Sequence, residues 1–252
     1  MAKIIRNSHH LEKEYIEEKS HRPLCFAAFV GMLITSVIFG IIYIKSNSNL
    51  LAAGSIISLI FGLVALIIGL RQTDEKARIL KSGIEGEMST AYVLSKLPRK
   101  YTVVQDINVT YDGGHSEIDN VVIGKTGIFV IETKNTKGTI RGDYNDKDWV
   151  QHKSGHGGTP YDKTFYSPVK QVGTHVYRLA HYLRKNGVHT YISGAVYFSN
   201  PEAIIKISNR TDDIPIFDCK SQNHMLDYIL NNEQNLSDKQ IKKAVSLIRR
   251  SK

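Results

Sequence analysis

Two long stretches of the chain carry no charged residue, Leu24–Ile44 and Leu50–Leu70, each of 21 residues. At a rise of about 1.5 Å per residue, each would measure roughly 30 Å as a helix, the thickness of a bilayer's hydrocarbon core. Lipid offers no partner to an unpaired backbone group, so both are expected as helices. Only Lys45-Ser46-Asn47-Ser48-Asn49 lies between them, which forces the two to run antiparallel. The pattern therefore predicts a transmembrane hairpin over 24–70, spans 24–44 and 50–70, preceded by an N-terminal segment, 1–23. The first run is too long for the core of a signal peptide, and no clear small-x-small cleavage site follows it. Gly54, Ser58 and Gly62, at four-residue spacing, are expected to form a close-packing face.

Beyond Leu70 the period changes. Residues 71–81 are charged and helix-favouring, a linker helix. Ser82-Gly83-Ile84-Glu85 reads as a capping box. The helix it would open runs to about Lys96, with Ile84, Glu87, Ala91 and Leu94 on one stripe. Apparent strands follow at Thr102–Asn108, Glu117–Ile123 and Ile128–Lys134, separated by the turn signals Asp112-Gly113-Gly114 and Gly124-Lys125-Thr126-Gly127. Arg141–Ser167 is long, polar and rich in Gly, His and Tyr; a short hairpin ending near Trp149 is expected at its start, and the rest reads as loop. Ser167-Pro168 then marks a helix start, with Val172, Val176, Leu179 and Leu183 as its apolar stripe. Strands at Tyr191–Phe198 and Ile214–Phe217, and helices at Ser221–Leu230 and, capped by Ser237, Asp238–Arg250, complete a mixed α/β domain over 82–252.

The chain has 252 residues, with 33 Lys+Arg against 24 Asp+Glu. Subtracting the six basic and four acidic residues up to Leu70 leaves 27 and 20, a net of +7 for the remainder. That excess suits a polyanion such as nucleic acid, or anionic lipid headgroups. The hairpin loop holds one basic residue, Lys45, whereas basic residues flank both outer ends; the positive-inside rule then puts both termini and the domain in the cytoplasm, with a multi-pass anchor in the cell membrane. Cys25 and Cys219 are the only cysteines, which excludes a disulfide framework and a cysteine zinc site.

The chemistry concentrates at the turn 124–127. If it closes symmetrically, Ile123 faces Ile128, Asp119 faces Glu132 and Glu117 faces Lys134. Alternation then places Asp119, Glu132 and Lys134 on one face. Opposed side chains start about 5 Å apart, so the two carboxylates repel unless a cation lies between them. Oxygen ligands so spaced suit Mg2+ or Mn2+. Glu87, on the helix stripe that faces the sheet, would bring a third acid. The alternative for Asp119, Glu132 and Lys134 is a cross-strand ion-pair network, which would not require the additional stripe-facing Glu87, and Glu117 is expected as a partly solvated neighbour or salt-bridge partner. Gln171, His175, Arg178 and Tyr182 share a helix flank that could track a phosphate backbone or simply face water. His152, His156, Tyr161 and Lys163 invite substrate contact from the polar loop, whereas Asp143–Asp148 lacks the glycine and glutamate of a calcium loop and reads as a turn.

Four segments in order, Gly83-Ile84-Glu85-Gly86-Glu87, Glu117-Ile118-Asp119-Asn120, Gly127-Ile128-Phe129-Val130-Ile131-Glu132-Thr133-Lys134-Asn135 and Ser167-Pro168-Val169-Lys170-Gln171, resemble the nuclease-related domain (NERD) family of the PD-(D/E)XK, restriction-endonuclease-like superfamily. The resemblance covers roughly Ser82–Ser199. It implies a mixed central sheet flanked by helices and a metal-dependent nuclease acting on DNA. Asp119 and Glu132 would then be metal ligands, with Thr133 a third through its carbonyl, and Lys134, Glu87 and Gln171 would complete the catalytic set. The family commonly has Asn-Pro where this chain has Ser167-Pro168, which leaves the helix start intact. A catalytically silent nucleic-acid-binding module tethered to the membrane would share the same fold.

Overall fold

A computed structural model describes residues 1–46, 49–154 and 159–251. The chain divides into two compact units: His10–Ile84, and Met1–His9 together with Glu85–Lys252.

The first unit is a pair of antiparallel helices, α1 (His10–Ser46) and the part of α2 (Asn49–Ser95) that precedes Glu85. Both are long and apolar enough to cross a membrane. Their aliphatic side chains point outward, as at Leu24, Ile34, Ile57 and Ile60. A continuous apolar surface of that size is the mark of a membrane or protein interaction surface. Ser36 Oγ donates to Ser55 O at 2.8 Å, and Gly62 sits against Met32. Of the two glycines in the expected small-residue face, a side chain at Gly62 would meet Met32, whereas one at Gly54 would meet nothing among the described residues. The pairing continues through the charged ends, where Arg22 bonds Asp74, Lys76 Nζ lies 3.8 Å from Glu18 Oε2, and Thr73 and Ala77 are buried.

Ser82 does not cap a helix. It lies inside α2, because the charged linker before it is itself helical and contains no breaker. Glu85, freed from any capping role, is exposed.

The second unit holds two sheets. Its strands are β1 (Lys3–Arg6), β2 (Thr102–Tyr111), β3 (Gly114–Gly124), β4 (Gly127–Lys134), β5 (Gly138–Asp143), β6 (Asp148–Ser154), β7 (Pro160–Tyr166), β8 (Ile192–Phe198), β9 (Ala203–Ser208) and β10 (Ile216–Asp218). Its helices, besides the end of α2, are α3 (Pro168–Lys185), α4 (Gln222–Leu230) and α5 (Asp238–Arg250). The main sheet is mixed, in the order β1-β2-β3-β4-β8-β10, and the smaller one runs β7-β6-β5-β9.

Continuous apolar runs in β3 and β4 follow from cover on both faces. Val121, Ile123, Ile128 and Val130 join the core beneath α3 and α5, while Val122, Phe129 and Ile131 join the core formed with Leu94, Leu97, Met225 and Ile229. Ser237 caps α5 in a reciprocal capping box with Gln240, as its sequence predicts.

Besides β9, which no predicted strand covers, two parts of this unit carry no clear sequence signal. The segment 141–167, expected mostly as loop, supplies β6 and β7, and the buried Trp149 donates through Nε1 to Asp143 O at 2.8 Å. His156 lies outside the described residues. The other part is β1. It pairs in parallel with β2, Lys3 opposite Thr102 and Arg6 opposite Gln105, and Ala2 N donates to Ser95 O at 2.9 Å. Residues before the hairpin thus fold with the residues after it, so the hairpin unit is inserted into the domain rather than appended to its front. Deleting residues 2–7 from the full chain is expected to lower its melting temperature by roughly 5 °C or more, because an edge strand and its burial are lost. An unchanged melting curve would refute a structural role for β1.

Candidate active site

The ladder between β3 and β4 ends at Asn120–Ile131, while β4 stays paired with β8 through Lys134. The strands part there, and the expected register holds up to that point, with Ile123 opposite Ile128. Thr133 N, which has lost a backbone acceptor on β3, donates instead to Asp119 Oδ2 at 2.7 Å. Asp119 therefore bends into the gap beside Glu132. Lys134 Nζ donates to Glu132 Oε1 at 2.7 Å and to Gln171 Oε1 at 3.0 Å, which brings α3 to the same point. Glu132 is buried, and its Oε2 has no hydrogen-bond partner; His175 Nε2 approaches it to 3.5 Å.

Two glycines allow this convergence. A side chain at Gly194 on β8 would collide with Val172, so only glycine lets α3 lie so close to the sheet. At Gly86 a Cβ would strike Asn135, so α2 can press against the end of β4 and present Glu87. A buried polar chain holds that contact. Gln105 Nε2 donates to Asn120 Oδ1 at 3.0 Å, Asn120 Nδ2 to Thr133 Oγ1 at 3.2 Å, Thr133 Oγ1 to Thr90 Oγ1 at 3.0 Å, and Thr90 Oγ1 to Gly86 O at 2.9 Å. Each hydroxyl both donates and accepts, so none of these buried groups is left unmade.

Glu87 is not paired with Lys134. Its Oε2 lies 3.3 Å from Arg6 Nη2, and Arg6 Nε lies 3.8 Å from Asp106 Oδ2. Asp106 falls at the break in the β2–β3 pairing, between Gln105–Asn120 and Ile107–Ile118, with φ of 55°, a left-handed conformation that aspartate tolerates better than most residues. Glu117 is exposed, with His115 Nε2 3.7 Å away, and lies apart from the cluster as expected.

Burial drives the Asp119 carboxyl well above its ordinary value, and the neighbouring Glu132 charge adds to that. Burial acts on Glu132 in the same direction, but Lys134 and His175 outweigh it and hold Glu132 low. Burial would lower Lys134, yet Glu132 and Asp119 raise it, so the amine stays charged. The two acids are thus pushed in opposite directions, a pattern suited to acid–base or metal chemistry.

No three His, Cys, Asp or Glu side chains among the described residues cage an ion by themselves. Two carboxylates with an orphan oxygen on Glu132 suit a cation that keeps several waters, as Mg2+ does. Thr133 meets Asp119 through its amide, and its side chain is committed to the polar chain.

The structure divides the helix flank that the sequence groups together. Gln171 and His175 face the carboxylates. Arg178 instead donates to Ser116 Oγ at 2.9 Å, and Tyr182 to Leu247 O at 3.2 Å. Of the polar-segment candidates, Tyr161 and Lys163 are exposed on β7, and His152 on β6 bonds Asp162 at 2.6 Å. Sequence reasoning misses Arg6 and Asp106. The only signal for Asp106 is a charge in the middle of an apolar strand, and Arg6 has none, standing before the hairpin.

Residues 82–199 match the family model of the nuclease-related domain, NERD. An uncharacterized protein of Bacillus anthracis, pXO1-01/BXA0003/GBAA_pXO1_0003, is 38% identical over 91 residues, which make up 35% of this chain and 43% of that protein. The chain thus spans less than half the length of that relative. No solved structure matches.

A raised carboxyl means that the folded state holds its proton more tightly than the unfolded chain, so ionised Asp119 costs stability. That cost is absent below the ordinary value of 3.8 and grows as pH rises through the folded value. In EDTA, Asp119→Asn is therefore expected to melt close to wild type near pH 4 and a few degrees above it, roughly, at neutral pH. Thermal melts across pH test this, and a variant less stable than wild type at pH 7 would overturn it.

Proposed function

We propose that the nuclease-related domain of this chain is a metal-dependent phosphodiesterase acting on DNA, held at the cytoplasmic face of the cell membrane by its helical hairpin. The observation that carries the catalytic reading is the placement of Lys134 Nζ between Glu132 Oε1 and Gln171 Oε1 beside the bent-in Asp119. The raised Asp119 carboxyl and the Glu132 oxygen that faces His175 at 3.5 Å support the same reading.

Asp119 and Glu132 would hold Mg2+ or Mn2+, with the Thr133 carbonyl available as a third ligand. Such an ion polarises a phosphoryl oxygen and acidifies a bound water. The residues of the chain do the rest. Lys134, kept charged by Glu132 and Asp119, faces the negative charge that develops on the phosphate. Gln171 accepts from Lys134 and fixes the direction of its amine. Arg6 pairs with Glu87 and lies near Asp106, which partly neutralises the acids of this corner.

The anchor reading rests on length and composition, and its topology has further support. β1 and β2 share one sheet, yet α1 and α2 lie between them in sequence. Two crossings return the chain to its starting side, and the single basic residue of the connecting loop favours the cytoplasm for that side.

The full-length protein in detergent, assayed on linear, plasmid and branched DNA, is expected to cleave only with Mg2+ or Mn2+. Lys134→Ala should lower the rate by about 10²-fold or more at temperatures well below the variant's own melting midpoint, which is expected to fall because buried Glu132 loses its counter-ion. Undiminished cleavage in that variant would refute the mechanism. Salt-sensitive DNA binding without product under any divalent ion would leave a silent binding module.

A further inference from the structure

One turn along α3 from Gln171, the helix borders an open cleft of about 740 Å3. At about 100° per residue, Lys170, Thr174 and Tyr177 lie on the flank next to the one that carries Gln171 and His175. The cleft and the candidate site thus lie on neighbouring flanks of one helix. Its walls are rich in tyrosine: Tyr111 from the end of β2, Tyr144 and Tyr166 from the segments around the smaller sheet, and Tyr177 from α3. Gly173 meets only Ile214 at van der Waals distance, so the floor is open.

Tyr111, Tyr177 and His181 form a cluster of three rings. The centroids of Tyr111 and Tyr177 are 6.2 Å apart, and His181 lies 4.7 Å from Tyr111 and 4.2 Å from Tyr177. His181 Nδ1 is 2.8 Å from Tyr177 O, which fixes the ring of one residue over the backbone of the other. Tyr177 nevertheless remains 54% exposed. Three aromatic rings braced against each other, with Tyr177 largely exposed, make a stacking platform whose apolar surface stays wet until something flat covers it.

The charges in the cleft decide what that is. Lys170 and Arg178 are balanced by Asp112 and Asp213, so the cleft is not a phosphate track. It suits a planar, uncharged ring whose edge bears donors and acceptors. Beside a centre that would cleave phosphodiesters, such a ring is a nucleobase. A base inside a duplex is covered on both faces by its neighbours and cannot reach the platform. We infer that this cleft binds an unpaired nucleobase of the substrate, stacked on Tyr177, and that the enzyme selects single-stranded or locally opened DNA. The inference rests on the nuclease reading for the choice of ligand, and it names the substrate class.

Binding is measured in EDTA with the full-length protein in detergent. The probes are a single-stranded oligonucleotide of about ten nucleotides carrying 2-aminopurine, a length within the usual range of single-strand sites, and a hairpin duplex of the same sequence. The single strand is expected to bind about tenfold or more tightly than the duplex, with quenching of 2-aminopurine on stacking. Tyr177→Ala should lose about tenfold in single-strand affinity together with the quenching, as removal of a stacking ring does, while Tyr177→Phe retains both. Equal affinity for the two probes, or unchanged single-strand affinity and quenching in Tyr177→Ala, would overturn the proposal. Failure of each reading is separable. Tyr177-dependent quenching in a protein that cuts nothing supports the cleft and removes catalysis. Cleavage of duplex without single-strand preference removes the cleft and leaves catalysis standing.

Discussion

The parting of β3 from β4 after Asn120–Ile131 is the constraint on which the rest of the site depends. A paired β3 would satisfy Thr133 N through its backbone and turn Asp119 into an ordinary ladder residue. Because it parts, the carboxylate of Asp119 takes that amide and is drawn into a crowded gap beside a second acid. The environment then separates the two. Asp119 is pushed up by burial and by Glu132, whereas Lys134 and His175 keep Glu132 ionised. One missing backbone contact thus turns two strand-end acids into a polarised pair.

That pair is useful only if helices from both sides of the sheet reach it. α2 and α3 do so by different means. α2 is fastened by polar groups that pass from Gln105 through Asn120, Thr133 and Thr90 to Gly86, so its position depends on a fully satisfied buried network. α3 is placed by sterics, since the absence of a side chain at Gly194 lets Val172 descend onto β8. The first arrangement is directional and the second is a matter of volume, and together they fix Glu87 on one side and Gln171 on the other.

The central part of this was legible in the sequence because its determinants are local. A tight glycine-bounded turn between two apolar runs sets the register of β3 and β4, and with it the proximity of Asp119, Glu132 and Lys134. Three features escaped for distinct reasons. Ser82-Gly83-Ile84-Glu85 has the letters of a cap, but a helix already under way needs none, so tertiary continuity overrode the local pattern. β7 is exposed at nearly every position, so no alternation of apolar and polar residues betrays it. Arg6 and Asp106 meet only because β1 adds to β2, a pairing between residues about a hundred positions apart that no local window contains.

That same pairing imposes an order on how the molecule is made. The first strand leaves the ribosome long before its neighbour exists, and it has nothing to pair with until both apolar helices and Thr102–Tyr111 have been synthesised. Closing so large a loop is entropically costly, which makes it a late event. The corner formed by Arg6, Glu87 and Asp106 is therefore among the last parts of the molecule to take shape, after the apolar segments have emerged and can enter lipid. A chain interrupted during synthesis would carry the acids or the guanidinium, but not their meeting.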